Sequence, residues 1–112
     1  MLPKPARLHE EKDFARVLRY GKTLSQGVLV WRITPNNLPR TRVGIVIANS
    51  VIKKATGRNR AKRLIRAVLL KHYKNFRPGR DIAILGRKGI EQETFATLSV
   101  LIPGALRTMN ML

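Results

Sequence analysis

Cysteine is absent from the chain, which excludes disulfides and thiolate metal sites. There are only two histidines, His9 and His72, far apart in sequence. Each reads as a surface or half-buried residue rather than a ligand. Six aromatics make up the whole supply: Phe14, Tyr20, Trp31, Tyr73, Phe76 and Phe95. No apolar run approaches the roughly 20 residues of a membrane span. The opening residues, Met1-Leu2-Pro3-Lys4-Pro5, lack an apolar signal core, so the expectation is a cytoplasmic protein with no membrane partner. Acids are the most informative scarcity. There are six, and none lies between Phe14 and Arg80.

The bases fill that gap. Lysine and arginine total 23, and the formal net charge is +17. From Lys53 to Arg66, seven of fourteen residues are basic: Lys53, Lys54, Arg58, Arg60, Lys62, Arg63 and Arg66. A soluble surface normally interleaves both signs, because like charges repel as a chain compacts. A long stretch of one sign points to a polyanion that supplies the missing charge, and nucleic acid fits best. The hydrophobic fraction of 44% excludes a disordered basic tail. The 112 residues suffice for one domain with a modest core, spanning 1–112. No repeat, low-complexity segment or long linker divides it.

Along the chain, Pro3 and Pro5 favour an extended start. Glu10 to Tyr20 reads as a helix: acids at its start, Arg16 and Arg19 near its end, Phe14, Val17 and Leu18 at helical spacing, and Gly21 to close it. Gly21 to Gln26 has room for a strand residue or two. Val28 to Thr34 is a strand of branched and aromatic residues. A turn follows at Pro35–Pro39, then a more buried strand from Arg42 to Ala48. Arg58 to Tyr73 is the strongest helix. Ala61, Leu64, Ile65 and Val68 fall on one side with Leu69 at the edge. Pro78-Gly79 breaks the chain before a strand at Asp81–Leu85. A last helix is expected from Glu91 to Leu101, stopped by Pro103-Gly104. The order is α-β-β-(β)-α-β-α, an α+β two-layer sandwich with helices covering one sheet.

Arg58, Lys62 and Arg66 are spaced i, i+4, i+8 and stack along one helix face, with Asn59 and Arg63 in the next row; together they cover an arc of about 140°. The rise of one turn, about 5.4 Å, is comparable to the spacing of phosphates along a strand. Arginine adds a planar fork for phosphate, and asparagine adds a donor and an acceptor. A merely solvated face would carry glutamates at i±4, and this one has none. Unpaired bases stack on exposed rings, although core packing is the commoner fate of any one aromatic. Leu29, Trp31 and Ile33 share one strand face, which is either core or cleft. No catalytic constellation is visible: no Ser-His-Asp set, no carboxylate cluster for metals, no glycine-rich phosphate loop. Asp13, Glu10, Glu11, Glu91 and Glu93 are adequately explained as helix-start acids. Expected catalytic and metal-ligating residues are therefore none.

Arg58-Asn59-Arg60-Ala61-Lys62-Arg63-Leu64-Ile65-Arg66, after Arg42-Val43-Gly44 and a buried strand, resembles the protein subunit of bacterial ribonuclease P. The similarity runs over roughly residues 5 to 101, through Arg7-Leu8, Asp13-Phe14 with Val17, Gly21, a strand ending near Trp31, and the strand Asp81–Leu85. The resemblance implies the family's sandwich, with a left-handed βαβ crossover placing the motif helix against the usual right-handed rule. It implies a ribonucleoprotein endonuclease of tRNA 5′ maturation. The chemistry would belong to the catalytic RNA with Mg²⁺, and the protein would bind that RNA and the 5′ leader of precursor tRNA. Carried onto this chain, the RNA-binding residues are Arg58, Asn59, Arg60, Lys62, Arg63, Arg66 and Lys54, and the leader cleft holds Phe14 and Trp31. The chain departs from the pattern at Leu18, where a second aromatic is usual. It also departs in a segment Ala48–Thr56 that is one residue longer and lacks a glycine, and in an abbreviated last helix.

Two other readings account for size and charge: a structural RNA-binding protein of ribosomal type, and a DNA-binding architectural protein. Copurifying RNA separates the first from a ribonuclease P subunit, and a preference for structured RNA over duplex DNA at matched salt dismisses the second. Oligomeric state is not legible from these features.

Overall fold

The computed structural model describes residues 2–112. Helix α1 spans Glu11–Tyr20, strand β1 Lys22–Gln26, β2 Leu29–Pro35 and β3 Arg42–Val46. Helix α2 follows at Ala55–His72, then strand β4 at Arg80–Gly86 and helix α3 at Phe95–Thr108. The sheet order is β1-β2-β4-β3. β1 pairs antiparallel with β2 and β2 antiparallel with β4, while β3 lies parallel to β4. The β3-α2-β4 segment is therefore a βαβ unit that inserts β4 between β2 and β3. The fold is the α+β sandwich that the order of elements predicts, with β1 occupying the stretch after Gly21.

Strand alternation divides the sheet into two faces. Leu29 and Trp31 on β2, Val43 on β3, and Ile82 and Ile84 on β4 point to the main core. There they meet Ala61, Ile65, Val68 and Leu69 of α2 and Leu98, Ile102, Ala105 and Leu106 of α3. The other face carries α1. Val17 is fully buried beside Leu8 and Ala83, with Phe14 packed at the margin. The N-terminal segment lies along β3, held by a parallel bridge from Arg7 to Val43 and by Leu8 N–H donating to the Val43 carbonyl at 2.9 Å.

The last helix corrects the expectation of a stop at Pro103. Helix α3 begins after Thr94 and runs through Pro103 and Gly104 to Thr108. Its start is set by a capping box: Thr97 N–H donates to Thr94 Oγ1 at 3.2 Å, and Thr94 N–H donates to Thr97 Oγ1 at 2.9 Å. Pro103 leaves one carbonyl in the preceding turn without its helical donor. Burial of Ile102, Pro103, Ala105 and Leu106 on both sides of it offsets that loss. Glu91 belongs instead to a short 3₁₀ turn at Ile90–Gln92. The tail is docked: Met111 is buried, and its carbonyl accepts from Arg77 N–H at 3.0 Å.

Candidate nucleic-acid interface

Helix α2 sets its apolar stripe into the core and leaves its outer face basic. Asn59, Arg60 and Arg63 are exposed, and Lys62 and Arg66 are half-buried at the helix edge. No acid lies in its first turn, and Lys54 at the N-cap makes no side-chain cap, so the positive end of the helix dipole adds to the same surface. Arg58 departs from the expected ladder. Its Nη1 donates to the carbonyls of Ile52 at 2.9 Å and Lys53 at 2.7 Å, which folds the arginine back onto the loop that carries Lys53 and Lys54.

Arg66 joins this face to a groove of about 260 Å³ at the β3 edge. The groove is lined by Leu8, His9, Phe14, Gly44, Ile45 and Arg66, together with Leu2, Arg7 and Val43. Phe14 approaches β3 closely because Gly44 has no side chain: a Cβ there would collide with Phe14 Cζ and Cε1. A glycine within a strand often marks such a close approach. The combination is a half-buried ring, apolar flanks and a guanidinium.

What aims Phe14 at Gly44 is a buried charge cluster. Asp81, at the start of β4, is 0% exposed. Arg42 grips it bidentately, Nε to Oδ1 at 2.9 Å and Nη2 to Oδ2 at 2.7 Å. Asn36 Nδ2 donates to Oδ1 at 2.8 Å, and Arg16 of α1 donates to Oδ2. Arg42 also reaches Asp13 Oδ2 at 3.2 Å. Asp13 and Arg16 bracket Phe14 on α1, so the cluster fixes the helix on the sheet. Burial pushes the Asp81 carboxyl upward, but hydrogen bonds from Arg42 and Asn36 and the charges of Arg42 and Arg16 outweigh it. The carboxyl is held below its ordinary range. The hydrogen bond to Asp81, above all, raises the Arg42 guanidinium.

The family model for ribonuclease P matches residues 2–109. The chain belongs to the ribonuclease P protein family. It is 39% identical over 85 residues to the ribonuclease P protein component of Synechocystis, covering 75% of this chain and 68% of that one. It is 36% identical over 110 residues to the component of Herpetosiphon aurantiacus, covering 98% and 89%. Among solved structures, the RNase P protein of Thermotoga maritima superposes with a TM-score of 0.81 at 27% identity, covering 91% of this chain and 96% of that one. A mutant Staphylococcus aureus RNase P protein matches with a TM-score of 0.88 at 22% identity, covering 97% and 92%, a likeness of fold. Family membership makes the chain the protein component of an endoribonuclease holoenzyme, a ribonucleoprotein of tRNA processing that partners the ribonuclease P RNA.

Trp31, expected in the leader cleft, lies elsewhere. Trp31 is 0% exposed and sits in the main core, opposite Leu24 on β1 and Ile84 on β4. Phe14 lies across the sheet from it, so the two rings do not share a cleft. The cause is parity: Leu29, Trp31 and Ile33 face the helices α2 and α3, whereas Val30 and Arg32 face the α1 side. Trp31 Nε1 finds no acceptor among the described residues. Leu18 is exposed on α1. Gly44, Leu8 and the Asp81 cluster were not among the expected site residues. The lone glycine inside a strand was the available signal for the first.

Proposed function

We propose that this chain binds ribonuclease P RNA through the basic face of α2 and guides the 5′ leader of precursor tRNA into the groove at Phe14, assisting removal of the leader in the cytoplasm. The observation that carries this reading is the continuity of the two features through Arg66, which belongs to the motif helix and also lines the groove. Arg60, Lys62, Arg63 and Arg66 neutralise phosphates, with Asn59 hydrogen-bonding beside them and Lys54 at the helix start. Arg58 shapes the loop that presents Lys53 and Lys54. Phe14 offers a ring to an unpaired base, and Arg66 takes the adjacent phosphate.

The chemistry belongs to the RNA with Mg²⁺. Both aspartates of the protein are engaged by arginines, and no group of three or more His, Asp or Glu side chains among the described residues is placed to hold a metal. The donor set therefore suits phosphate, and Mg²⁺ belongs on the phosphates of the RNA and its substrate. The test compares leader-bearing and leaderless tRNA on the reconstituted holoenzyme. Phe14→Ala should weaken the leader-bearing substrate by about fivefold or more, the equivalent of one lost stack, and leave the leaderless one unchanged. Equal loss for both, or none, contradicts the groove assignment.

A further inference from the structure

Tyr20 closes α1 with 68% of its surface exposed, more than any other aromatic among the described residues. The Arg19 guanidinium stands 5.4 Å from its ring centroid, within cation–π range. Beside it lies a hollow of about 320 Å³, lined by Lys22, Ile33, Thr34, Arg80 and Met109 among others. Lys22, Ile33 and Met109 continue into an adjoining hollow with Thr108 and Asn110. The two form one groove between β1 and the C-terminal end of α3. Neither hollow is lined by a carboxylate. Asp81, paired across the sheet with Thr34, is already engaged by Arg42 and Arg16.

This groove is remote from the face described above. Lys22 pairs with Ile33, and Pro35 with Arg80. That register puts the groove at the end of the sheet where β4 begins, whereas the first turns of α2 follow the opposite end of β3. Packing accounts for little of it, since Tyr20, Lys22 and Arg80 are all exposed.

We infer that the Tyr20 groove is a second contact for RNA, taking an unpaired nucleotide with its base on the Tyr20 ring and its phosphate on Lys22 and Arg80. Ile33 and Met109 form an apolar floor for the edge of the base, and Thr34, Thr108 and Asn110 surround it with hydrogen-bonding groups. A bilayer surface suits the site poorly, because the apolar floor is concave and only one ring projects. The inference rests on the proposal that the chain works on RNA. It extends the bound RNA from one end of the sheet to the other.

The experiment uses the full chain and a short single-stranded oligouridylate carrying fluorescein, read by anisotropy. A 4-thiouridine version is cross-linked and the modified peptide mapped. The expected results are a cross-link on the peptide containing Tyr20 and Lys22, an affinity loss of about fivefold or more for Tyr20→Ala, and retention of binding by Tyr20→Phe. Melting temperatures should match the wild type. If Tyr20→Ala melts early, the Lys22→Ala/Arg80→Ala double variant carries the test through a shallower salt dependence. Wild-type affinity in Tyr20→Ala together with loss in Arg63→Ala retires the groove but leaves the RNA-subunit reading in place. Wild-type affinity in both retires both. Binding to phosphatidylserine vesicles that depends on Tyr20, with RNA binding unchanged, overturns the inference in favour of a membrane surface.

Discussion

One step along β2 separates a core residue from a surface one. Trp31 faces the helices, and Val30 and Arg32 face the other way. Trp31→Ala should therefore cost about 3–5 kcal/mol of stability, and iodide should fail to quench Trp31 emission in the free protein. Strong quenching would place the indole at the surface. Gly44 illustrates the reverse case, in which having no side chain makes room for Phe14. Gly44→Ala should displace both Phe14 and the Leu8 carbonyl, which a Cβ would approach to 2.8 Å, and so both lower the melting temperature and weaken binding of leader-bearing substrate. Asp81 holds the site from behind. Its folded pKa is depressed, so its stabilising contribution is complete above the unfolded carboxyl value of about 3.9. It is lost as pH falls through the lower, folded value. Replacing Asp81 with alanine leaves Arg42 and Arg16 without their buried partner and should cost about 3–5 kcal/mol. The loss should be evident at neutral pH and shrink under acid, where the wild-type carboxyl also becomes protonated. A loss that persists undiminished under acid contradicts the linkage.

At the scale of elements, α2 combines both roles: one stripe builds the core and the rest carries charge. If its outer face neutralises about four to six phosphates, log K for RNA should fall with log salt at a slope of roughly −3 to −5. Asn59→Ala, Arg63→Ala and Arg66→Ala should each weaken RNA binding. The two arginine changes should flatten the slope by about one unit or less, with little change in melting temperature. Arg58→Ala should behave differently, loosening the Lys53–Lys54 loop, because its guanidinium is committed to the carbonyls of Ile52 and Lys53. Hydrogen exchange across Asn49–Lys54 checks this. Strong periodicity made α2 and the strands readable, and even β1 had its place after Gly21. Alternation along β2 named the residues sharing a face with Trp31 but not which face was buried, since that depends on which side α2 and α3 choose. Pro103 reads as a stop by local propensity, and packing of Ile102, Ala105 and Leu106 overrides it. The Asp81 cluster joins residues from α1, the β2–β3 loop and β3 across dozens of positions, beyond any local pattern.

For the whole molecule, a net charge of +17 on 112 residues is a self-repulsion that a polyanion relieves. Among the described residues the only buried acid is Asp81, and it is neutralised internally. The outer surface therefore stays cationic. RNA bound to the native state should accordingly raise the melting temperature, and less so as salt increases. We propose a division of labour in which the chain contributes binding and positioning while the RNA carries out cleavage. It is tested most directly by reconstitution with the cognate ribonuclease P RNA on precursor tRNA at low Mg²⁺. Wild-type protein should accelerate 5′ cleavage, the Asn59→Ala/Arg63→Ala/Arg66→Ala variant should restore the rate only at higher protein concentration, and protein freed of RNA should cleave nothing. Cleavage by RNA-free protein, or full stimulation by the triple variant at limiting concentration, would contradict the account.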